Sequence, residues 1–299
     1  MTFKTEFGFL NEPISLDADG IVVRPCDDFE ATASAIRSAL NPDGYFYPPT
    51  SETFRSRWPD MTHREPVPQT KRPAHLFDMP MSHVLTLSTS GSEEALLAEA
   101  TFVVQALAYL YGTRLQPDGW QLDARVPVTH STHPVHVGTA ALHRFVPRAL
   151  AEWRTQPTER RLRLTNVLYL HAKAPSYEWI WELFLMEYVV LDAIYDYSFR
   201  AGTATSVLHA ERIRELCGRY GLWCPADAPV EALVTMRNTL FHEGLWEGER
   251  PGYKISAEAY NRGRDLRHLT QRLIAATLAG ASEYTRSRWA DLSWYMFFS

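Results

Sequence analysis

The chain has 299 residues, of which 45% are apolar and 22% charged, and a formal net charge of −5. This is enough for one large domain or two ordinary ones with a real core, in the composition range of a soluble globular protein. The acidic balance excludes a global pull toward nucleic acid, and three cysteines (Cys26, Cys217, Cys224) are too few and too scattered for a disulfide framework or a zinc ribbon.

Along the chain, the start MTFKTEFGFLNEP lacks the basic, apolar, small order of a signal peptide. TFKTEFGF, GIVVRPC and HVLTLSTS alternate or carry β-branched residues, which predicts strands, with a short helix over DDFEATASAIRSAL. Residues 41–73 are dense in proline and aromatics and predict a long ordered loop or lid, where Tyr45, Phe46, Tyr47 and Trp58 stand together. SGSEEALLAEATFVVQALAYLYGTRL predicts a helix with a serine cap, glutamates in its first turn and a stop at Gly112. QPDGWQLDARVPV predicts a hairpin or strand pair.

From about residue 137 the pattern turns helical and stays so. TAALHRFVPRALAEWRT and ERRLRLTNVLYLHAK predict basic amphipathic helices. SYEWIWELFLMEYVVLDAIYDYSF is apolar nearly all round, as a central or interface helix is; Glu182, Glu187 and Asp192 make it a poor membrane span. HAERIRELCGRYG, DAPVEALVTMRNTLFHEG and SAEAYNRGRDLRHLTQRLIAATLAG complete the set, the last ending on Gly280. The expected fold is therefore an α+β region over 1–136, serving recognition or sensing, followed by an all-α bundle over 137–299 and mainly α overall. The tail YTRSRWADLSWYMFFS is too aromatic to float and should pack back on the fold or on a second subunit.

MRNTLFHEG holds the chemistry. Arg237 lies seven residues after Val230, in the middle of the apolar stripe Val230, Leu233, Val234, Leu240, Phe241. An arginine cannot deprotonate to escape burial, so it must be paired or opened to water. Asn238 and His242 are four apart and share a face. Arg237 and His242 lie about 140° apart on an ideal α-helix, so the arginine must curl toward the histidine. An arginine to hold a phosphate and a histidine to move a proton are the minimum kit for metal-free RNA cleavage by 2′-OH attack. The leaving oxygen needs a second acid, which a second copy facing the first across a two-fold axis would supply. A second R-x4-H match, Arg125…His130, contains proline and sits in strand or loop sequence.

RNTLFHEG, late in a set of helices, resembles the R-x4-6-H motif of HEPN domains (higher eukaryotes and prokaryotes nucleotide-binding), in which a polar residue such as Asn238 often follows the arginine. VVLDAIYDY looks like the first core helix of that family and puts Asp192 in its acidic position, as a partner for Arg237. The resemblance covers about residues 160–280. It implies a HEPN-like helical bundle forming a homodimer and a metal-independent endoribonuclease, without cofactor, in toxin or antiviral defence systems with a possible antitoxin or defence partner; the few cysteines separately make a reduced, cytoplasmic protein the expectation. It also implies the alternative of a non-catalytic nucleotide- or RNA-binding and dimerisation module. Gly244 stands where toxins of the nucleotidyltransferase-linked type carry a regulatory tyrosine, so that regulation is not expected.

Two further groups remain. His130, His133 and His136 are spaced as three imidazoles able to hold zinc, the basis of a third reading as a zinc-dependent hydrolase. Arginine outnumbers lysine 26 to 4, and clusters of it in 144–163 and 262–272 make Arg160, Arg161, Arg163, Arg264 and Arg267 candidate RNA contacts.

Overall fold

Alternating apolar side chains build the first layer. The computed structural model describes residues 2–47, 54–56, 62, 64–66, 77–88, 91–117, 120–129, 135–199, 208–225, 227–251, 255–290 and 295–297. Its N-terminal elements are β1 (Thr2–Gly8), β2 (Leu16–Ala18), β3 (Ile21–Pro25), α1 (Phe29–Ser38), β4 (Tyr45–Phe46), β5 (Phe54–Ser56), β6 (Arg64–Pro66), β7 (His83–Ser88), α2 (Glu93–Tyr111), β8 (Gln116–Pro117), β9 (Val126–Pro127) and β10 (Val135–His136). Five strands form an antiparallel sheet in the order β2-β3-β7-β1-β8, with Thr5 opposite Leu85 and Phe7 opposite His83. Phe7, Ile21, Val23, Leu85 and Leu87 fall on the buried face by the two-residue period and pack toward α2.

The expected hairpin over QPDGWQLDARVPV is not one: β8 pairs with β1, and β9 with β4. Most of the 41–73 loop, Trp58 included, lies outside the described residues. The cap expected for α2 is present: Ser92 Oγ accepts the Ala95 N–H at 3.3 Å, and Gly112 ends the helix in the left-handed region.

The C-terminal part consists of α3 (Thr139–Thr155), α4 (Thr158–Lys173), α5 (Ile180–Phe199), α6 (His209–Tyr220), α7 (Asp227–Asn238), α8 (Ala257–Ala279), α9 (Glu283–Arg286) and β11 (Tyr295–Met296). The chain is thus mainly helical, with a sheet first and helices after. One continuous apolar core crosses the boundary expected near 136: α2 packs on α3 and α4, and Phe102, Phe145, Phe184 and Phe297 are all buried in it. Among the described residues α2, not α5, is long and apolar enough to cross a membrane, and most of it is buried inside the protein. The tail returns to the fold. β11 runs parallel to β10, and Tyr284, Trp289 and Phe297 are buried.

The core of the bundle contains charge. Glu187 on α5 is fully buried; it accepts from His171 Nδ1 on α4 at 2.9 Å and, on α8, from Arg267 Nη1 at 2.5 Å and Thr270 Oγ1 at 2.6 Å. Burial opposes the charge on Glu187, but its donors outweigh that and hold its pKa below the usual carboxylate range. Burial, helped by Arg267, pushes the His171 pKa down. Close approach of α8 to α5 depends on Gly263, where a Cβ would come within 2.6 Å of the Ile180 side chain.

Candidate active site

Arg237 and His242 sit where α7 changes its winding. Asp227–Asn238 is α-helical, with Val230 and Leu233 buried, but Thr239–Glu243 is a π-helical turn closed by Gly244 at φ 68°, whose N–H bonds back to Thr239 O. An i→i+5 turn is wider than an α turn, so a residue five positions on returns to the same side. The structure therefore corrects the expected 140° separation. Arg237 Nη1 meets His242 Nε2 at 3.1 Å and Asn238 Oδ1 at 3.1 Å. A guanidinium has only donors, so Nε2 is the acceptor, and the imidazole in this pair is neutral with its proton on Nδ1.

The guanidinium is half-buried between two rings, 4.6 Å from the Phe241 centroid and 5.9 Å from that of Tyr188 on α5. Its Nε is buried without an acceptor. Among the described residues no carboxylate pairs with it. Asp192, expected as that partner, bonds to Arg212 Nη1 on α6 at 2.9 Å instead. The reason is helical geometry: Tyr188 meets Arg237, while Asp192, one turn further along α5, lies against the start of α6.

A second histidine joins the cluster that sequence reasoning missed. His209, first residue of α6, lies edge-on to Tyr188 at 5.6 Å, and its Nδ1 is 3.9 Å from Asp192 Oδ1, too far for a hydrogen bond. Burial, then the charge on Arg237, lowers its pKa; Asp192 pulls the other way, and Arg212 and His242 add to the lowering. No spacing in LHAERI marks this histidine; only the packing of α6 on α5 brings it here.

The five candidate RNA arginines separate. Arg161 donates to the carbonyls of Gln156 at 2.7 Å and of Arg154, and stacks on Trp153, so it closes the C-terminal end of α3. Arg163 is paired with Glu159 at 2.7 Å and Asp196 at 3.0 Å. Arg267 belongs to the buried Glu187 cluster. Arg161 and Arg267 are corrected from RNA contacts to internal ones, because they spend their donors inside the fold, and Arg163 is engaged in ion pairs at the surface. Arg160 stacks over Tyr197 and Arg264 over Tyr260, neither with an ion pair among the described residues.

For the zinc reading, His130 and His133 lie outside the described residues, and His136 is an exposed position of β10. Among the described residues no group of three His, Cys, Asp or Glu is placed to hold a metal ion. Compared with known proteins, the chain matches no family model, no curated protein and no solved structure.

Proposed function

We propose that the protein is a metal-independent endoribonuclease built on a HEPN-like bundle. The observation that carries this reading is the Arg237 guanidinium: half-buried and, among the described residues, facing no carboxylate and held only by Asn238, Phe241, Tyr188 and His242. A half-buried cation without a counter-charge is a place for an anion, and a phosphodiester fits the planar fork of its N–H groups.

The same contact gives the histidine its role. A phosphate that takes the Arg237 donors releases the lone pair on His242 Nε2. That nitrogen then accepts the 2′-OH proton as the 2′-oxygen attacks the adjacent phosphorus. The bond from phosphorus to the 5′-oxygen breaks, leaving a 2′,3′-cyclic phosphate and, after protonation, a 5′-OH. Arg237 stabilises charge on the phosphoryl oxygens, and Asn238 orients Arg237 through its Oδ1. Asp192 acts at a distance, by fixing Arg212 beside His209.

The leaving oxygen takes its proton from the imidazolium form of His242 in a second copy across a two-fold axis, protonated on Nε2 and so released from its own Arg237. Val189, Leu208 and Phe241 are exposed beside Tyr188, His209 and His242, an apolar rim that a second copy would cover. His209 is the poorer acid, because burial and the charge on Arg237 lower its pKa and disfavour the protonated form. His209→Gln is accordingly expected to keep cleavage within about tenfold of wild type, against a loss of at least about a hundredfold in His242→Ala. Equal losses in the two variants would move the acid to His209.

The test of the reading is RNA cleavage in EDTA, wild type against Arg237→Ala/His242→Ala, with analysis of the new ends. Cleavage by wild type alone, leaving 2′,3′-cyclic phosphates, is the expected result. RNA binding without cleavage by either protein would replace the enzyme with a binding and dimerisation module. Toxin or defence roles, with a neutralising partner, follow from the resemblance and are tested by growth arrest on expression that the same double variant relieves.

A further inference from the structure

A second polar site lies where the N-terminal part meets the bundle. On α8, Tyr260, Arg264 and Arg267 recur at helical spacing on one face. Opposite them stand Tyr45 of β4, Arg125 just before β9, and Trp179 at the entry to α5. Together they line a cavity of about 190 Å³. An outer chamber of about 540 Å³ adjoins it and shares Tyr45 and Tyr260. The inner and outer spaces together fall within the range of small-molecule sites, roughly 300–1,000 Å³.

The charges there are unbalanced. Arg125 stacks over Tyr45 at 4.0 Å and, among the described residues, donates only to neutral oxygens: the carbonyls of Ser176 and Tyr177 and the Tyr47 hydroxyl. Arg264 touches only the Tyr260 ring, at 6.0 Å, with no hydrogen bond or ion pair among the described residues. Arg267 is buried, and Glu187 and the His171 carbonyl take its Nη1 donors while its Nη2 finds no acceptor. Against these three cations the lining offers two carboxylates, Glu178 in the inner cavity and Asp43 in the outer chamber. Buried guanidinium donors without acceptors are costly, and an anion placed among them removes that cost. The rings specify the rest of the ligand: Trp179 and Tyr260 are 43% and 48% exposed at the mouth, large flat surfaces left uncovered.

We infer that this cleft binds a free nucleoside monophosphate, its phosphate among Arg125, Arg264 and Arg267 and its base against Tyr260 in the outer chamber. The assignment is independent of the ribonuclease reading. Ile180 of this cleft and Tyr188 of the Arg237 cluster are eight residues apart on α5, about 12 Å along its axis, so one mononucleotide does not fill both.

Calorimetric titration of the full chain with AMP, GMP, CMP, UMP and inorganic phosphate tests it. At least one mononucleotide is expected to bind more tightly than phosphate, and Arg264→Ala and Tyr260→Ala each to weaken it by about tenfold or more. Both side chains are partly exposed, so neither change threatens folding. Arg237→Ala is expected to leave that binding unchanged. Four outcomes overturn the assignment: no binding of any probe at millimolar concentration, binding insensitive to Arg264→Ala, phosphate binding as tight as that of every mononucleotide, or binding lost in Arg237→Ala. An oligoribonucleotide held through Arg264 more tightly than any mononucleotide would also overturn it and make the cleft part of an RNA path.

Discussion

Glu187→Ala is expected to cost about 3–5 kcal/mol of folding stability, because it leaves the buried Arg267 guanidinium without its counter-charge. The carboxylate links three helices: His171 on α4, Glu187 on α5, and Arg267 and Thr270 on α8. Its removal also leaves the Thr270 hydroxyl without its inward acceptor, a smaller penalty of about 1 kcal/mol. Urea unfolding at pH 7 measures the loss. A double variant, Glu187→Met with Arg267→Met, is expected to recover most of it, since replacing a buried pair by apolar groups of similar size is far cheaper than breaking one. A single variant within about 1 kcal/mol of wild type would show that water already reaches Arg267. Tyr188, next in the chain, packs on Arg237, so the single variant should also lower cleavage wherever it shifts α5.

The elements visible in the sequence are those set by local chemistry. The alternation in TFKTEFG and IVVRP, the Ser92 cap and the Gly112 stop each depend on neighbours within a few residues, and each is where it was expected. The Arg237–His242 pairing was legible as a polar cluster at a helix end, but not its geometry. Ideal 3.6-residue spacing put the two on different sides, and the π turn at Thr239–Glu243 brings them together. The tertiary partners were not legible. Asp192 had two arginines within reach of its helix, and only the packing of α6 decides for Arg212. Glu187 read as a blemish in an apolar run, yet it is the centre of a cluster assembled from residues 171, 187, 267 and 270. Two of the arginines failed for the same reason: Arg163 reaches Asp196 and Arg267 reaches Glu187, acceptors far away in the chain. Arg161 differs, since its acceptors, the Arg154 and Gln156 carbonyls, are close in sequence and are freed only because α3 ends there.

Acidification from pH 6.5 to 4.5 is expected to unfold or strongly weaken the protein, before most carboxylates titrate. His83 on β7 is fully buried, stacked on Phe7 at 5.5 Å, with Nδ1 2.9 Å from Ser82 Oγ and Nε2 accepting the Ile14 N–H at 3.3 Å. Burial pulls its pKa down to about 4. His268 on α8, bonded through Nδ1 to the Trp289 carbonyl, is pulled down to about 3 by burial and by Arg272 and Arg264 beside it. Both histidines gain protons near pH 6.5 in the unfolded chain but only well below that when folded. Between those values the unfolded state binds more protons, so stability is full above about pH 6.5 and falls as pH drops toward the folded values. The gaps between 6.5 and the folded values of about 4 and about 3 correspond to roughly 3–5 kcal/mol for each group in full, of which up to about 3 kcal/mol each is lost by pH 4.5, a large share of the 5–15 kcal/mol typical of a folded domain. His83→Gln, which keeps a side-chain acceptor but no titrating group, should flatten this part of the stability profile by about half. Urea midpoints for both proteins at pH 7.5, 5.5 and 4.5 decide it. Parallel profiles would mean that His83 charges in place, through an opening between β7 and α1 wide enough to admit water.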